Sequence, residues 1–152
     1  MGTALIAVAG TLLGVIATHW FQGRAAERTA VLARTEQLRQ ERIAAYSAFA
    51  GAVVDFRRSQ HDRWFSAAQD PGSERAEAAR FASYHHRTAA SQALFRVQLV
   101  CDAPDTRQLA ESAFQITSCM HEAADEEERA LRSRQAKGAL DGFIAAAAPG
   151  VR

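Results

Sequence analysis

Residues 3–21, Thr3-Ala-Leu-Ile-Ala-Val-Ala-Gly-Thr-Leu-Leu-Gly-Val-Ile-Ala-Thr-His-Trp-Phe21, hold no Asp, Glu, Lys or Arg, and His19 is their one titratable side chain. So long an uncharged run is best accommodated out of water. At about 1.5 Å per helical residue it reaches about 28 Å, close to the roughly 30 Å hydrocarbon core of a bilayer. Trp20 and Phe21 stand at one end, where amphipathic rings favour the membrane interface, and Arg24 follows as a snorkelling anchor. The reading is a membrane-spanning helix over residues 1–23. A cleaved signal peptide would carry Lys or Arg ahead of the apolar run and end at a small-residue site. This chain instead begins Met-Gly and closes the run on His19, Trp20 and Phe21. A helix buried in a soluble bundle is the other competitor, since Ala, Gly and Thr dilute the hydrophobicity.

Orientation follows from the basic residues. None precedes the span, whereas Arg24, Arg28, Arg34, Arg39 and Arg42 crowd its far side. Positive residues stay cytoplasmic, which predicts a single-pass protein of the cell membrane with its N-terminus outside and its C-terminal body inside. Gly10, Gly14 and Thr18 repeat at four on one face. In lipid, helices pair where small residues let backbones approach, so this face is the candidate seam for self-association.

The rest of the 152-residue chain is read as one domain. A net charge of +1, with acids and bases interspersed, argues against a nucleic-acid partner, which would call for a basic face. Cys101 and Cys119 lie in apolar-periodic stretches without metal-ligand spacing and are expected as buried free thiols. Strand-like alternation is absent and good helix formers dominate, so the fold class is all-α.

Pro71, Pro104 and Pro149 punctuate three helical segments. In the first, residues 24–40 carry only a thin apolar seam, Val31 and Leu38, and read as a helical stalk. From Ile43 the face widens through Tyr46, Phe49, Val53 and Phe56 at three-four spacing. Asp70-Pro-Gly-Ser73 breaks the segment, with Ser73 or Asp70 free to cap the next. The second helix, residues 74–101, has two apolar faces: Phe81, Tyr84, Thr88, Phe95 and Leu99 on one, Ala90, Ala93, Val97 and Val100 on its neighbour. Pro104 suits the first turn of a third helix marked by Leu109, Ala113, Ile116, Met120 and Ala123. Its continuation through residues 125–129 reads as a solvated face laced by Asp125–Arg129 and Glu128–Arg132 pairs. The expected architecture is an antiparallel three-helix bundle over residues 41–152, with residues 138–148 either continuing the third helix or folding back as a fourth.

Chemistry is sparse. His85 and His86 diverge by about 100° on one helix, and neither has a carboxylate at three or four. His121 and Asp125 are four apart, but no Glu-x-x-His pair accompanies them. No metal or other cofactor is expected; a bundle carrying metal or haem on these histidines is the competing class. Nucleophile and phosphate-binding motifs are missing, so an enzyme is not expected. Arg57, Arg58, His61 and Trp64 form a polar-aromatic cluster near the distal loop. Its plain reading is a solvated helix end; its functional reading is a partner-docking tip, since Trp and Arg anchor interfaces.

Several segments together resemble a known family. The Leu-Ile-Ala-Val-Ala-Gly-Thr-Leu-Leu-Gly span is followed by Glu36-Gln-Leu-Arg-Gln-Glu-Arg-Ile-Ala-Ala-Tyr-Ser-Ala-Phe49. Gln60-His-Asp-Arg-Trp64, Arg96-Val-Gln-Leu-Val100 and the closing Ala-Leu-Asp-Gly-Phe-Ile-Ala-Ala-Ala-Ala complete the order. This resembles the KilB-type proteins of actinomycete conjugative plasmids and their chromosomal relatives. The resemblance implies a small membrane protein of a plasmid transfer system, harmful when overproduced without its repressor. Its implied partners are the bilayer, further copies of itself and the transfer machinery. A general membrane-tethered scaffold without a plasmid role is the alternative in the same physical class.

Overall fold

The structure is a computed structural model that describes backbone from residue 2 and side-chain surroundings from residue 27. The expected span, its Gly10, Gly14 and Thr18 face and its Trp20, Phe21 and Arg24 anchors lie outside the residues whose side chains are described. Among the described residues no helix is long and apolar enough to cross a membrane. They form four α-helices and two short 3-10 turns: α1 Gly2–Gln69, α2 Glu74–Val100, α3 Pro104–Ser118 and α4 Glu126–Ala147, with turns at Met120–Glu122 and Ala148–Val151. Two compact units divide the chain, Met1–Leu38 and Arg39–Arg152.

In the first unit every described side chain is exposed, including Val31 and Leu38 of the expected seam.

The second unit is an up-down-up-down bundle whose directions follow from its hydrogen bonds. Near the start of the α1 portion, Arg42 Nε donates to Val100 O at 2.9 Å and the guanidinium pairs with Asp102. Farther along, Gln60 accepts from Ser83 Oγ at 3.0 Å. Thus α2 runs antiparallel to α1. Arg39 donates to Val151 O at 2.9 Å while His61 meets Arg129 at 2.7 Å, so α4 is antiparallel to α1 as well. Phe56 packs on Phe114 and Gln60 bonds Thr117 and Ser118, so α3 runs parallel to α1.

The core is mainly the widened α1 face predicted from periodicity. Phe49, Val53 and Phe56 are fully buried among Ala90, Leu94, Val97, Ala113, Leu140 and Phe143. Phe143 takes edge contacts from Phe49 at 5.1 Å and Tyr46 at 5.7 Å between ring centroids, the orientation the ring quadrupole favours. Of the two faces on α2, the small-residue one packs: Ala76, Ser83, Ala90, Leu94 and Val97 are buried. The aromatic face, Phe81, Tyr84, Phe95 and Leu99, is exposed.

Local end signals act as read. Ser73 caps α2 by accepting from Ala76 N, and Pro104 opens α3. The third helix departs from expectation. It stops at Ser118, and a separate α4 starts at Glu126 and runs unbroken through Gly138 and Gly142. The fourth helix is therefore not residues 138–148. Two carbonyls freed at the α3 terminus accept from Gln60 Nε2, Thr117 O at 3.2 Å and Ser118 O at 2.7 Å, and Arg132 donates to Cys119 O. Asp125, expected to pair with Arg129, instead caps α4 by accepting from Glu128 N at 2.8 Å. Cys101 is buried as expected, but Cys119 is exposed because it lies in the turn after α3; both are free thiols.

Candidate functional site

The cluster flagged near the distal loop is assembled largely by contacts within the bundle. α1 presents Arg57, Arg58, His61, Trp64 and Phe65 over two turns, and α4 supplies Arg129 against them. Trp64 Nε1 donates to Ala123 O at 2.8 Å. The Arg129 guanidinium lies 4.9 Å from the Phe65 ring centroid and 5.6 Å from that of Trp64, within cation–π range. Its Nη1 stands 2.7 Å from His61 Nδ1. Arginine donates only, so the imidazole accepts there and carries its proton on Nε2. Arg129 is 11% exposed, its carboxylate partner Glu126 is 3.9 Å away, and its Nε has no partner. Burial first, then the Arg129 charge, holds the His61 pKa below its ordinary value.

These contacts occupy the residues a docking tip would use as anchors. Trp64 and His61 are half-buried, Arg57 is half-buried and Arg58 exposed. Arg58 lines a groove of about 500 Å³ between α1 and α2, together with Asp55, Asp62, Arg75, His86 and three alanines of α2. A smaller apolar groove of about 290 Å³ lies between α1 and α4, lined by Ile43, Tyr46, Ala50, Phe143 and Ile144. Tyr46 is pushed up to about 12, chiefly by burial and then by its hydrogen bond with Cys101. Among the described residues no three His, Cys, Asp or Glu side chains converge as a metal site. His121 bonds Ser118 O through Nδ1 at 3.0 Å, and burial followed by Arg63 lowers its pKa.

Gln60 escaped the sequence reading. It is 2% exposed and joins α1, α2 and the end of α3 by three hydrogen bonds. Its signal was present, because position 60 continues the Val53–Phe56 face at three-four spacing. A polar residue there marks a buried bridge.

No solved structure matches the chain. Protein KilB of Streptomyces lividans is 34% identical over 148 residues, covering 97% of each chain. The model of the KilB plasmid transfer protein family matches residues 43–151, which take in the whole buried core of the bundle and its last turn. The chain belongs to the KilB plasmid transfer protein family.

Proposed function

We propose that this protein is a non-enzymatic accessory of plasmid transfer, held in the cell membrane by residues 3–21, with the four-helix bundle as its cytoplasmic docking body. The observation that carries the reading is the correspondence with a KilB protein along 97% of both chains. The uncharged run and the arginines after it support the anchor and its orientation. Self-association through the Gly10, Gly14 and Thr18 face belongs to the same proposal, as does partner docking around Arg57 and Arg58.

Alkaline extraction of membranes from cells holding the full chain tests it, beside a chain lacking residues 1–23. The expected result is a full chain that resists extraction and a shortened one that is released and helical. A full chain that washes off would place residues 3–21 in contact with protein instead, and the anchor and orientation would both fall. Loss of plasmid spread on deleting the gene, restored by the full chain and not by the shortened one, links the anchor to transfer.

A further inference from the structure

The aromatic face of α2 is an exposed apolar stripe. Phe81 is 57% exposed, Tyr84 47%, Phe95 58% and Leu99 86%. With Thr88 these positions fall within about 60° of one another around the helix, turned about 140° from the buried Ser83, Ala90, Leu94 and Val97. The stripe is thus a ridge facing away from the core.

Its surroundings are cationic. Between residues 78 and 100 α2 carries Arg80, His85, His86, Arg87 and Arg96 and no Asp or Glu. The Phe81 and Tyr84 rings meet edge to face at 6.5 Å. Arg80 lies 5.7 Å from the Phe81 centroid, and Arg63 of α1 lies 5.4 Å from that of Tyr84. Arg80 has an ion pair with Glu77 at only 3.9 Å, and both are more than half exposed. Arg63 and Arg80 also line a cleft of about 410 Å³ at the α1–α2 loop, together with Ser73 and Glu77.

We propose that this face of α2 rests on a bilayer containing anionic phospholipid, with Phe81, Phe95 and Leu99 in the acyl boundary and Arg80, Arg87 and Arg96 on the headgroup phosphates. An apolar ridge bracketed by long basic side chains is the pattern of an interfacial helix, whose stems extend to the headgroups while the rings enter. Charge decides against a second copy: two such faces set together would bring Arg80, Arg87 and Arg96 against one another, while the carboxylates of α2 at that azimuth, Glu74 and Glu77, stand in its first turn and Glu77 already pairs with Arg80. An acidic protein helix would call for a groove, whereas the bilayer accepts a ridge. The inference deepens the membrane reading above, but its readout lies on α2.

The test places a reporter in the stripe. The full chain with Phe95→Trp is reconstituted in vesicles of phosphatidylcholine alone or mixed with phosphatidylglycerol, and the emission of the unsubstituted chain is subtracted to remove Trp20 and Trp64. The expected result is a blue-shifted added signal, quenched by acyl-brominated lipid, in phosphatidylglycerol vesicles alone and lost in high salt. Charge reversal by Arg80→Glu, Arg87→Glu and Arg96→Glu, or the single change Leu99→Asp, abolishes the shift while the far-ultraviolet helix signal stays unchanged. An added signal that remains water-like with phosphatidylglycerol overturns the proposal, and so does equal quenching in its absence. Alkaline extraction of the same vesicles reads residues 3–21 separately. A chain that resists alkali with a water-like signal retires the lipid face and leaves the anchor standing; a chain that washes off alkali yet shows the shift does the reverse.

Discussion

Gln60 shows how one polar side chain holds three helices. Its amide donates to the Thr117 and Ser118 carbonyls and accepts from the Ser83 hydroxyl, all buried. Gln60→Leu keeps the volume and strands these groups, at a cost of about 1–3 kcal/mol or more. Urea unfolding of the intact chain followed by circular dichroism checks this; an unchanged midpoint would mean that water satisfies the carbonyls. His61 gives the pH dependence. Its folded pKa is lowered, chiefly by burial and then by Arg129, and in the unfolded chain it returns to about 6.5. The stability contributed by neutral His61 is full above that value and lost as pH falls through the folded pKa. His121 shifts in the same direction and adds to the decline. The urea midpoint should hold above about pH 6.5 and drop as pH falls below it, less steeply in His61→Gln. Glu128 is also lowered, by bonds from Ala124 N and Arg132, but starts from 4.5 and loses its contribution below that window.

At the scale of helices, α4 carries Gly138 in its interior, and α1 carries Gly51. A Cβ added at either meets nothing within 4 Å, and neither backbone has a positive φ. Gly51→Ala and Gly138→Ala should each raise unfolding stability by about 0.5–1 kcal/mol, because alanine loses less backbone entropy in a helix. A drop in the urea midpoint on either change would show that the glycine serves a close approach. Gly138 also explains how far the fold was legible. Signals that act within a few residues were readable: Ser73 caps its own helix, Pro104 opens its own, and the Phe49–Val53–Phe56 face follows from periodicity. A glycine weakens a helix, which left residues 138–148 open to continue or to fold back, yet packing of Ala136, Leu140 and Phe143 in the core holds α4 through Gly138. The real break, at residues 119–125, has neither Gly nor Pro. It depends on Gln60, distant in sequence, taking the α3 carbonyls. Its one local sign, Asp125 at the cap with Glu128 three residues on, was equally explained by ion pairs along a solvated helix. Likewise nothing in the chain says which apolar face of α2 turns inward. Small residues won because Ala90 and its neighbours let α2 approach the large rings of α1. The candidate site was half legible: Arg57, Arg58, His61 and Trp64 are neighbours on one helix, but the Arg129 that engages His61 and Trp64 comes from α4.

For the bundle as a whole, the two thiols offer a measure of cooperativity. Cys119 is exposed in the turn after α3, beside the Gln60 bridge, while Cys101 is 4% exposed at the opposite end. There Cys101 Sγ approaches Ala103 O at 3.5 Å and shares a hydrogen bond with Tyr46, next to the Phe49–Phe143 contact. A thiol reagent should therefore label Cys119 at once and Cys101 only when that end opens. The informative experiment combines this with the distant bridge. If residues 39–152 unfold as one unit, Gln60→Leu shortens the labelling time of Cys101 by the factor its stability loss dictates, although the two sites share no contact; each 1.4 kcal/mol or so corresponds to about tenfold. If Gln60→Leu lowers the urea midpoint but leaves Cys101 labelling unchanged, the polar and apolar ends open independently. The polar end would then yield first, because buried hydrogen bonds contribute about 1 kcal/mol each, whereas burying a ring such as Phe49 or Phe143 contributes about 1.5–3 kcal/mol.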